Sequence, residues 1–218
     1  DYDGAGLHGV EGKSSVDRYY AIGLTYANGP LNLAAVVDQT NFSTTKWNGV
    51  DWGNPVDDAL TVTVGGNYDF QVVKLYAGAQ YFDNADLNSI DNIFSKDFAL
   101  SSAKTERFQV EGYGLTVGAD IPAAGGTFKV ATSYLDGTID KVNGWDMATA
   151  IGATFGEIDI SRWNTSAGYL YSLSKRTSLY GVASYSYQTV KGQKDFNGYS
   201  LDVAPTVIEV AAGIVHKF

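Results

Sequence analysis

The fold is decided by residues 59–83, which read ALTVTVGGNYDFQVVKLYAGAQYFD. Large apolar side chains alternate with small or polar ones, on even positions from Leu60 to Tyr68 and then on odd positions from Val73 to Tyr81. Because successive side chains of a β-strand point to opposite faces, this period of two predicts two strands, each with one apolar and one polar face. Only the link near 69–70 separates the two strands, so we expect an antiparallel hairpin.

The same alternation recurs along most of the chain and predicts an all-β, antiparallel fold of about nine strands. Tyr20, Ile22 and Leu24, for example, share one parity. In the fifth strand the apolar parity changes near Glu111-Gly112, which predicts a β-bulge. The predicted strands lie near residues 18–27, 31–41, 59–69, 71–83, 106–121, 126–136, 161–173, 177–188 and 207–218.

The connections between these strands alternate between short and long. Short links lie near 28–30, 69–70, 122–126 and 174–176, and long polar loops lie near 42–58, 84–105, 137–160 and 189–206. The long loops are therefore all expected at one end of the sheet, an asymmetry that is typical of a transmembrane β-barrel and has no cause in a soluble sandwich. Strands of about ten residues match a tilted span of the hydrocarbon layer. We interpret residues 1–218 as a single barrel domain.

Composition excludes several classes of protein. The 218 residues include 24 Asp and Glu against 15 Lys and Arg, a net charge of −9, whereas a general nucleic-acid binder needs a basic surface. The absence of Cys excludes disulfides, zinc–thiolate sites and Cys nucleophiles. No apolar run is long enough to predict a membrane-spanning helix. No motif predicts a cofactor, a metal site or catalysis, so we do not expect an enzyme.

Aromatic residues collect where the predicted strands end. In membrane barrels such rings form two girdles at the level of the lipid headgroups. At the long-loop end we expect a girdle from the aromatic residues 20, 81, 134, 163, 185 and 187. The girdle at the short-turn end is predicted to comprise Tyr26, Tyr68, Phe70, Phe128, Tyr171 and Phe218.

Three stretches resemble Gram-negative outer-membrane proteins. The last strand, 207–218, ends on Phe218 and resembles the C-terminal assembly signal of those proteins. Residues 171–180, YSLSKRTSLY, resemble the penultimate hairpin of the Gram-negative general porins, and residues 26–31 are similar to another turn of that family. The resemblance extends over residues 17–218.

The resemblance implies a water-filled channel in the bacterial outer membrane, through which small hydrophilic solutes and ions diffuse passively. It also implies a homotrimer of 16-stranded barrels, in contact with outer-membrane lipid and lipopolysaccharide. Because single-chain bacterial barrels have an even number of strands, nine strands predict the C-terminal portion of such a barrel, without its constriction loop. The alternative is a tenth strand between Leu7 and Val10, which would give a small closed barrel.

If the apolar face meets lipid, the intervening face lines a lumen. That face is predicted to carry mostly Gly, Ser and Thr, which keep a lumen open. Lys74, Lys129 and Arg162 are interpreted either as part of a cationic ladder opposed by carboxylates or as solvated lumen residues without a role in selectivity. The predicted pore-lining charges are Asp38, Lys74, Asp120, Lys129, Arg162 and Glu209.

Two other functions stay open at this point. One is a soluble β-sandwich that binds carbohydrate through Trp47 and Trp52. The other is a small outer-membrane barrel with a structural or adhesive role and no open pore. Neither alternative predicts a catalytic residue.

Overall fold

A computed structural model of the chain describes residues 18–42, 46–47, 50–51, 57–86, 108–142, 145–146, 157–192 and 202–217. Within these ranges the regular structure is β-strand throughout. Nine strands are long: β1 (Arg18–Asn28), β2 (Leu31–Asn41), β5 (Ala59–Asp69), β6 (Lys74–Asp86), β7 (Phe108–Ala123), β8 (Gly126–Val142), β10 (Ile158–Ser172), β11 (Thr177–Gly192) and β13 (Thr206–His216). Four have two residues each: β3 (Lys46–Trp47), β4 (Val50–Asp51), β9 (Trp145–Asp146) and β12 (Asp202–Val203).

The long strands form one antiparallel meander, which confirms the predicted fold class. Each long strand pairs with the long strand before it and the one after it in the chain, from β1 through β11 to β13. In the part of the chain that the structure describes, β1 pairs only with β2, and β13 pairs only with β11. The sheet therefore has two open edges. No helix among the described residues is long and apolar enough to span a membrane.

Tight turns join the strands at one end of the sheet, which we call the short-turn end; the opposite end is the long-loop end. Between β7 and β8 the turn residues Ala124 and Gly125 both have positive φ, 49° and 80°, as a type I′ turn requires. Between β10 and β11 the hydroxyl of Ser174 accepts hydrogen bonds from the backbone N–H groups of Arg176, at 3.2 Å, and Thr177, at 3.1 Å. These local contacts set the register of each hairpin.

The link between β5 and β6 is longer than expected. The prediction began the strand at residue 71, but β6 begins at Lys74, and residues 70–73 form the turn. The carboxylate of Asp69 accepts a hydrogen bond from the backbone N–H of Gln71 at 2.7 Å, and Gln71 has a φ of 70°. The side chain of Asp69 thus holds a wider turn than the apolar alternation indicated.

The β-bulge predicted in the fifth strand is wrong in its placement, because the extra residues lie in the two neighbouring strands. Two steps along β7, from Gln109 to Glu111, oppose three steps along β8, from Lys141 to Thr138, so Val110 stays on the face of Gly112. The register of β7 against β8 shifts between Gln109 and Glu111, and the register of β6 against β7 shifts between Phe82 and Ala85. Beyond these shifts the strands continue further toward the long-loop end than predicted. The loops expected at 84–105, 137–160 and 189–206 are therefore shorter, because β6 extends to Asp86, β8 covers 126–142, β10 begins at Ile158 and β11 extends to Gly192.

The distribution of exposure is the reverse of that in a soluble protein. In β7 the apolar side chains Leu115 and Val117 are 49% and 53% exposed. In β11 Tyr185 and Tyr187 are exposed, whereas Ser186 and Gln188, on the other face, are buried. Because a soluble sheet buries its apolar face in a core, this pattern contradicts the soluble β-sandwich.

Candidate functional site: the polar face of the sheet

Strand pairing defines one continuous polar face, which we call the inner face. Residues that pair directly on neighbouring strands point to the same face of the sheet. The strand register therefore assigns every residue to one of the two faces, strand by strand. Thr25 pairs with Ala34, Ala34 with Gly65, Gly65 with Gly78, and Gly78 with Thr116. The same row continues through the residues Ser133, Asn164, Ser186 and Val207. Most side chains in this row are small or polar, as a water-filled lumen requires.

All six charges predicted to line a pore lie on the inner face. Lys74 pairs with Asp120, and Asp120 pairs with Lys129. Arg162 and Glu209 pair with inner-face residues of β11, and Asp38 pairs with Thr61. The register thus places them together on the polar side. Their lining of a pore stays a prediction.

Three of the six charges form one contiguous cluster near the short-turn end. The Nζ of Lys129 lies 2.5 Å from Oδ2 of Asp120, and the hydroxyl of Tyr76 donates a hydrogen bond to the same oxygen at 3.0 Å. The Nζ of Lys74 lies 5.4 Å from the centre of the Tyr76 ring, within reach of a cation–π interaction. Asp69 pairs with Lys74, so acidic and basic residues alternate across four strands. Two ammonium groups therefore flank one carboxylate on the inner face.

A concavity of about 400 Å³ lies beside this cluster. Its polar boundary includes Tyr76, Asp120 and Lys129, and its apolar boundary includes Leu170 and Tyr180. The side chain of Lys129 is about half exposed, so its charge is accessible from this space.

The other three charges lie apart from the cluster. The guanidinium of Arg162 donates a hydrogen bond to Ser186 Oγ at 3.5 Å near the long-loop end. The carboxylate of Glu209, on the edge strand β13, accepts one from Ser184 Oγ at 3.4 Å, between the two ends of the sheet. Asp38 lies in a third position, paired with Ala21 and Thr61. The structure therefore does not bring the six residues into a single site. A cationic ladder formed by Lys74, Lys129 and Arg162 would have to extend along the inner face from the short-turn end to the long-loop end.

Aromatic residues form two bands on the outer face. At the long-loop end the rings of Tyr113, Tyr134 and Trp163 follow one another on adjacent strands, with centroids 6.4 Å and 6.1 Å apart. At the short-turn end Tyr68 and Phe70 lie 4.4 Å apart. The predicted residues Tyr26, Phe128 and Tyr171 are also exposed at this end, and Phe218 lies outside the described residues.

The spacing of the two bands fits a membrane. Trp163 and Tyr171 lie on the same strand, and eight residues span roughly 26 Å at about 3.3 Å per residue before tilt. The apolar band of an outer-membrane barrel is about 25 Å tall, and tilt shortens the span somewhat. A girdle role for these residues stays a prediction.

Sequence reasoning did not single out Tyr76, although it connects Lys74 to Asp120. The sequence does indicate its position, because Tyr76 follows Lys74 by two residues and therefore lies on the same polar face of the strand. Tyr113 was likewise absent from the predicted long-loop girdle, although its ring lies beside that of Tyr134. The side chains of Trp47 and Trp52, proposed for carbohydrate binding, lie outside the described part of the chain. Among the described residues, no group of three or more His, Asp or Glu side chains is arranged to hold a metal ion.

Comparisons with known proteins are consistent with this geometry. Residues 1–193 match the family model of the Gram-negative porins. The chain is 31% identical over 226 aligned positions to an outer membrane porin protein of Bordetella pertussis. That alignment covers 95% of this chain and 48% of the relative, so the chain spans about half the length of the curated relative that it matches. No solved structure matches the chain.

Proposed function

The chain belongs to the Gram-negative porin family, and from that premise we propose that it builds part of the wall of a water-filled outer-membrane channel. Small hydrophilic solutes and ions would cross this channel by passive diffusion, without a catalytic step. The observation that carries the proposal is the reversed distribution of side chains, with exposed aliphatic and aromatic residues on one face and small polar residues on the other. Such a sheet is stable where hydrocarbon covers the first face and water wets the second.

The two unpaired edges of the sheet indicate that further strands complete the barrel. Nine successive antiparallel strands leave β1 and β13 running in the same direction, so these two edges cannot pair antiparallel with each other. An unpaired edge inside a bilayer leaves backbone groups without partners, at a cost of several kcal/mol per group. A closed antiparallel barrel that contains this sheet therefore needs an odd number of additional strands. Seven would give the 16 strands of the general porins.

We assign ion selectivity to the inner-face charges. Lys74 and Lys129 flank Asp120, and Arg162 adds a third cationic group further along the same wall. Because salt water fills the lumen and screens these charges, they act on passing ions over about one Debye length, which is about 10 Å at 0.1 M salt. The row Asp69, Lys74, Asp120 and Lys129 at the short-turn end carries no net charge, so removal of one ammonium group should shift the balance toward cations.

The partners follow from the outer face. The two aromatic bands and the aliphatic side chains between them would contact outer-membrane lipid, with lipopolysaccharide at the long-loop side. Part of the same face would pack against two further subunits, because trimers are the assembly of the general porins that the sequence resembles. We propose both contacts for the full-length protein.

The experiment that tests the function is a planar-bilayer measurement on the natural full-length protein. We expect stable current steps in KCl. In a KCl gradient, the Lys129→Gln variant should shift the reversal potential in the direction of greater cation selectivity. One unit charge at about 8 Å in water contributes roughly 0.5 kcal/mol of opposite sign to a cation and an anion, so its removal changes the cation-to-anion permeability ratio about sixfold before screening by salt. The absence of any current from correctly folded protein would favour the structural or adhesive barrel instead.

Lys175→Gln is the matched control for this variant. It removes the same charge from the exposed turn between β10 and β11, outside the inner face. We expect it to shift the reversal potential much less than Lys129→Gln does. Equal shifts would assign selectivity to the overall charge of the protein rather than to the inner-face cluster.

A further inference from the structure

The inner face carries an apolar patch at a level where its other residues are small or charged. Leu170, Tyr180 and Val182 line the concavity of about 400 Å³ beside the charged cluster, and Tyr180 and Val182 are 39% and 38% exposed. Strand register places all three on the inner face, because Leu170 pairs with Tyr180, and Val182 pairs with Gly168 in the row of Lys129. Exposed aromatic and aliphatic side chains are unfavourable on a face that contacts only water. A solute with an apolar surface of its own would cover them.

The ring of Tyr180 is held against the sheet because its partner on β13 has no side chain. Tyr180 pairs with Gly213, and a β-carbon added to Gly213 would lie 2.7 Å from the hydroxyl oxygen and 2.8 Å from Cε1 and Cζ of the ring. The ring therefore lies directly over the backbone of Gly213. Since its side toward the strand is covered, its exposed part faces the space in front of the sheet. A ring fixed in this way can pack against a solute without first losing much freedom.

The polar side of the concavity is a hydrogen-bonding group without net charge. Lys129 and Tyr76 both donate to Oδ2 of Asp120, at 2.5 Å and 3.0 Å. Within the described part of the chain, the hydrogen bonds to this carboxylate end on Oδ2, so Oδ1 can accept a hydroxyl group from a solute. The ammonium group of Lys129 is on a half-exposed side chain and has three N–H donors. In the same row Asp69 pairs with Lys74, so the two charges of each sign balance.

Small residues leave room between the apolar and the polar side. Gly118 pairs with Ala131, and Gly168 pairs with Lys129. Gly118, Ala131 and Gly168 all line the concavity. Because the ammonium group of Lys129 bonds to β7, it turns away from Gly168 on β10. The volume of about 400 Å³ lies within the range of roughly 300–1,000 Å³ that is usual for small-molecule sites.

From these contacts we propose that the concavity is a weak binding site for a neutral sugar ring that passes through the channel. The C–H groups on one face of a pyranose would pack on Tyr180 and Val182, and its hydroxyl groups would exchange hydrogen bonds with Asp120 and Lys129. Because the charged row has no excess of either sign, a neutral polyhydroxylated solute fits it better than an organic anion does. The inference rests on the proposed channel function and names one class of solute that the inner face binds. The binding is weak, because a tightly held solute would not leave the channel.

Saturation-transfer NMR tests the site independently of conduction. The full-length protein in lipid nanodiscs is titrated with maltose, and the transfer of saturation from the protein to the sugar protons is measured. We expect a saturable signal, and Tyr180→Ala should raise the apparent Kd about five- to tenfold, as truncation of an aromatic anchor does. Tyr185→Ala is the matched control, because it removes the same side chain from the outer face of the same strand. Equal effects of the two variants, or no saturable signal from the unmodified protein, would overturn the proposal.

A second variant makes the test independent of the folding of Tyr180→Ala. Ala131 is exposed on the inner face, and Ala131→Leu adds volume to the concavity while Tyr180 and Asp120 stay in place. We expect it to raise the Kd for maltose by a similar factor. Ala79→Leu makes the same change on the outer face of β6 and should leave the Kd unchanged. Unchanged binding in Ala131→Leu would contradict the assigned site.

The current through the channel separates this inference from the proposed function. Maltose should reduce the KCl current of the unmodified protein in a saturable way, whereas a polyethylene glycol of similar mass should reduce it only in proportion to its concentration. Equal, unsaturated effects of maltose and the polymer would contradict binding inside the channel. If the unmodified protein gives no current, the channel function fails, and the NMR titration still decides on the sugar site. If it conducts and gives no saturable NMR signal, only the sugar site fails.

Discussion

Single residues determine how the short-turn end of the sheet is built. Asp120 accepts hydrogen bonds from both Lys129 and Tyr76 through one oxygen, so three neighbouring strands meet at one side chain. Side-chain oxygens of Asp69 and Ser174 define two of the turns. At this scale the contacts are short, local and polar, which is why residue type alone indicated turns at these places.

Gly125 allows a direct test of turn chemistry. Its φ of 80° is accessible to glycine, whereas an L-residue there costs roughly 1–2 kcal/mol. We therefore expect Gly125→Ala to lower the free energy of unfolding by about that amount, measured by urea titration in lipid vesicles. Ala124→Gly should have the opposite sign, because Ala124 already occupies the left-handed region, with a φ of 49°. Two variants of the same sign would mean that the turn geometry is different.

Gln109 allows a test of the buried polar contact. Gln109→Ala removes the three hydrogen bonds that Gln109 makes with the backbone of Asp57 and the carbonyl of Asn84, at a cost of about 1–3 kcal/mol in unfolding free energy. Gln80→Ala is the control, since Gln80 is an exposed glutamine on the adjacent strand that donates only to Thr63 Oγ1 among its described contacts. An equal, small effect of both variants in the same titration would contradict the burial of Gln109.

At the scale of strands, the two faces are the dominant feature. Between the short turns and the register shifts, the long strands present mostly apolar residues outward and small or polar residues inward, and the register keeps the faces aligned from β1 to β13. A shift by one residue would exchange the faces. The register shifts near the long-loop end change the parity of β6, between Phe82 and Ala85, and of β8, between Thr138 and Lys141, whereas β7 keeps its parity.

Adjacent positions on β5 test these faces. Val64 lies on the outer face and Thr63 on the inner face, in the middle of the strand. Val64→Arg places a guanidinium in hydrocarbon at a cost of roughly 2–4 kcal/mol, so we expect a strongly reduced yield of folded protein in vesicles. Thr63→Arg should fold and alter conductance. The readout is the fraction of each variant that stays folded in SDS without heating. Equal folded fractions for the two variants would contradict the assigned faces.

The alternation of residues predicted the strands and their two faces, because contact with two media imposes a period of two on each strand. It indicated an irregularity near Glu111 but assigned it to β7, whereas the extra residues lie in β6 and β8. It did not predict how far β8, β10 and β11 extend toward the long-loop end. Residues 137–142 contain Asp140 and Lys141 and therefore look like loop, yet pairing with β7 continues to Val142. For the same reason Ile139, Ile158 and Val190 were assigned to loops, and the burial of their side chains could not be anticipated. Tertiary pairing, rather than local pattern, determines structure there.

At the scale of the whole molecule, the described strands form one antiparallel sheet whose edges, β1 and β13, are open. In a membrane, the backbone groups at these edges need further strands as hydrogen-bond partners. The match to about half of a longer porin is consistent with that requirement. The inner face is divided between a polar, charged region toward the short turns and a packed apolar region at part of the long-loop end.

The most direct test of the account asks which medium each face contacts. Single Cys variants from 113 to 118 on β7 carry a nitroxide spin label in the full-length protein folded in vesicles, and its collisions with oxygen and with a water-soluble nickel chelate are measured. We predict alternation with a period of two, with labels at Leu115 and Val117 accessible to oxygen and labels at Gly114 and Thr116 accessible to nickel. Reversed alternation, or outer-face labels protected from both reagents, would show that protein or water covers the apolar face and would contradict a wall that separates lipid from water.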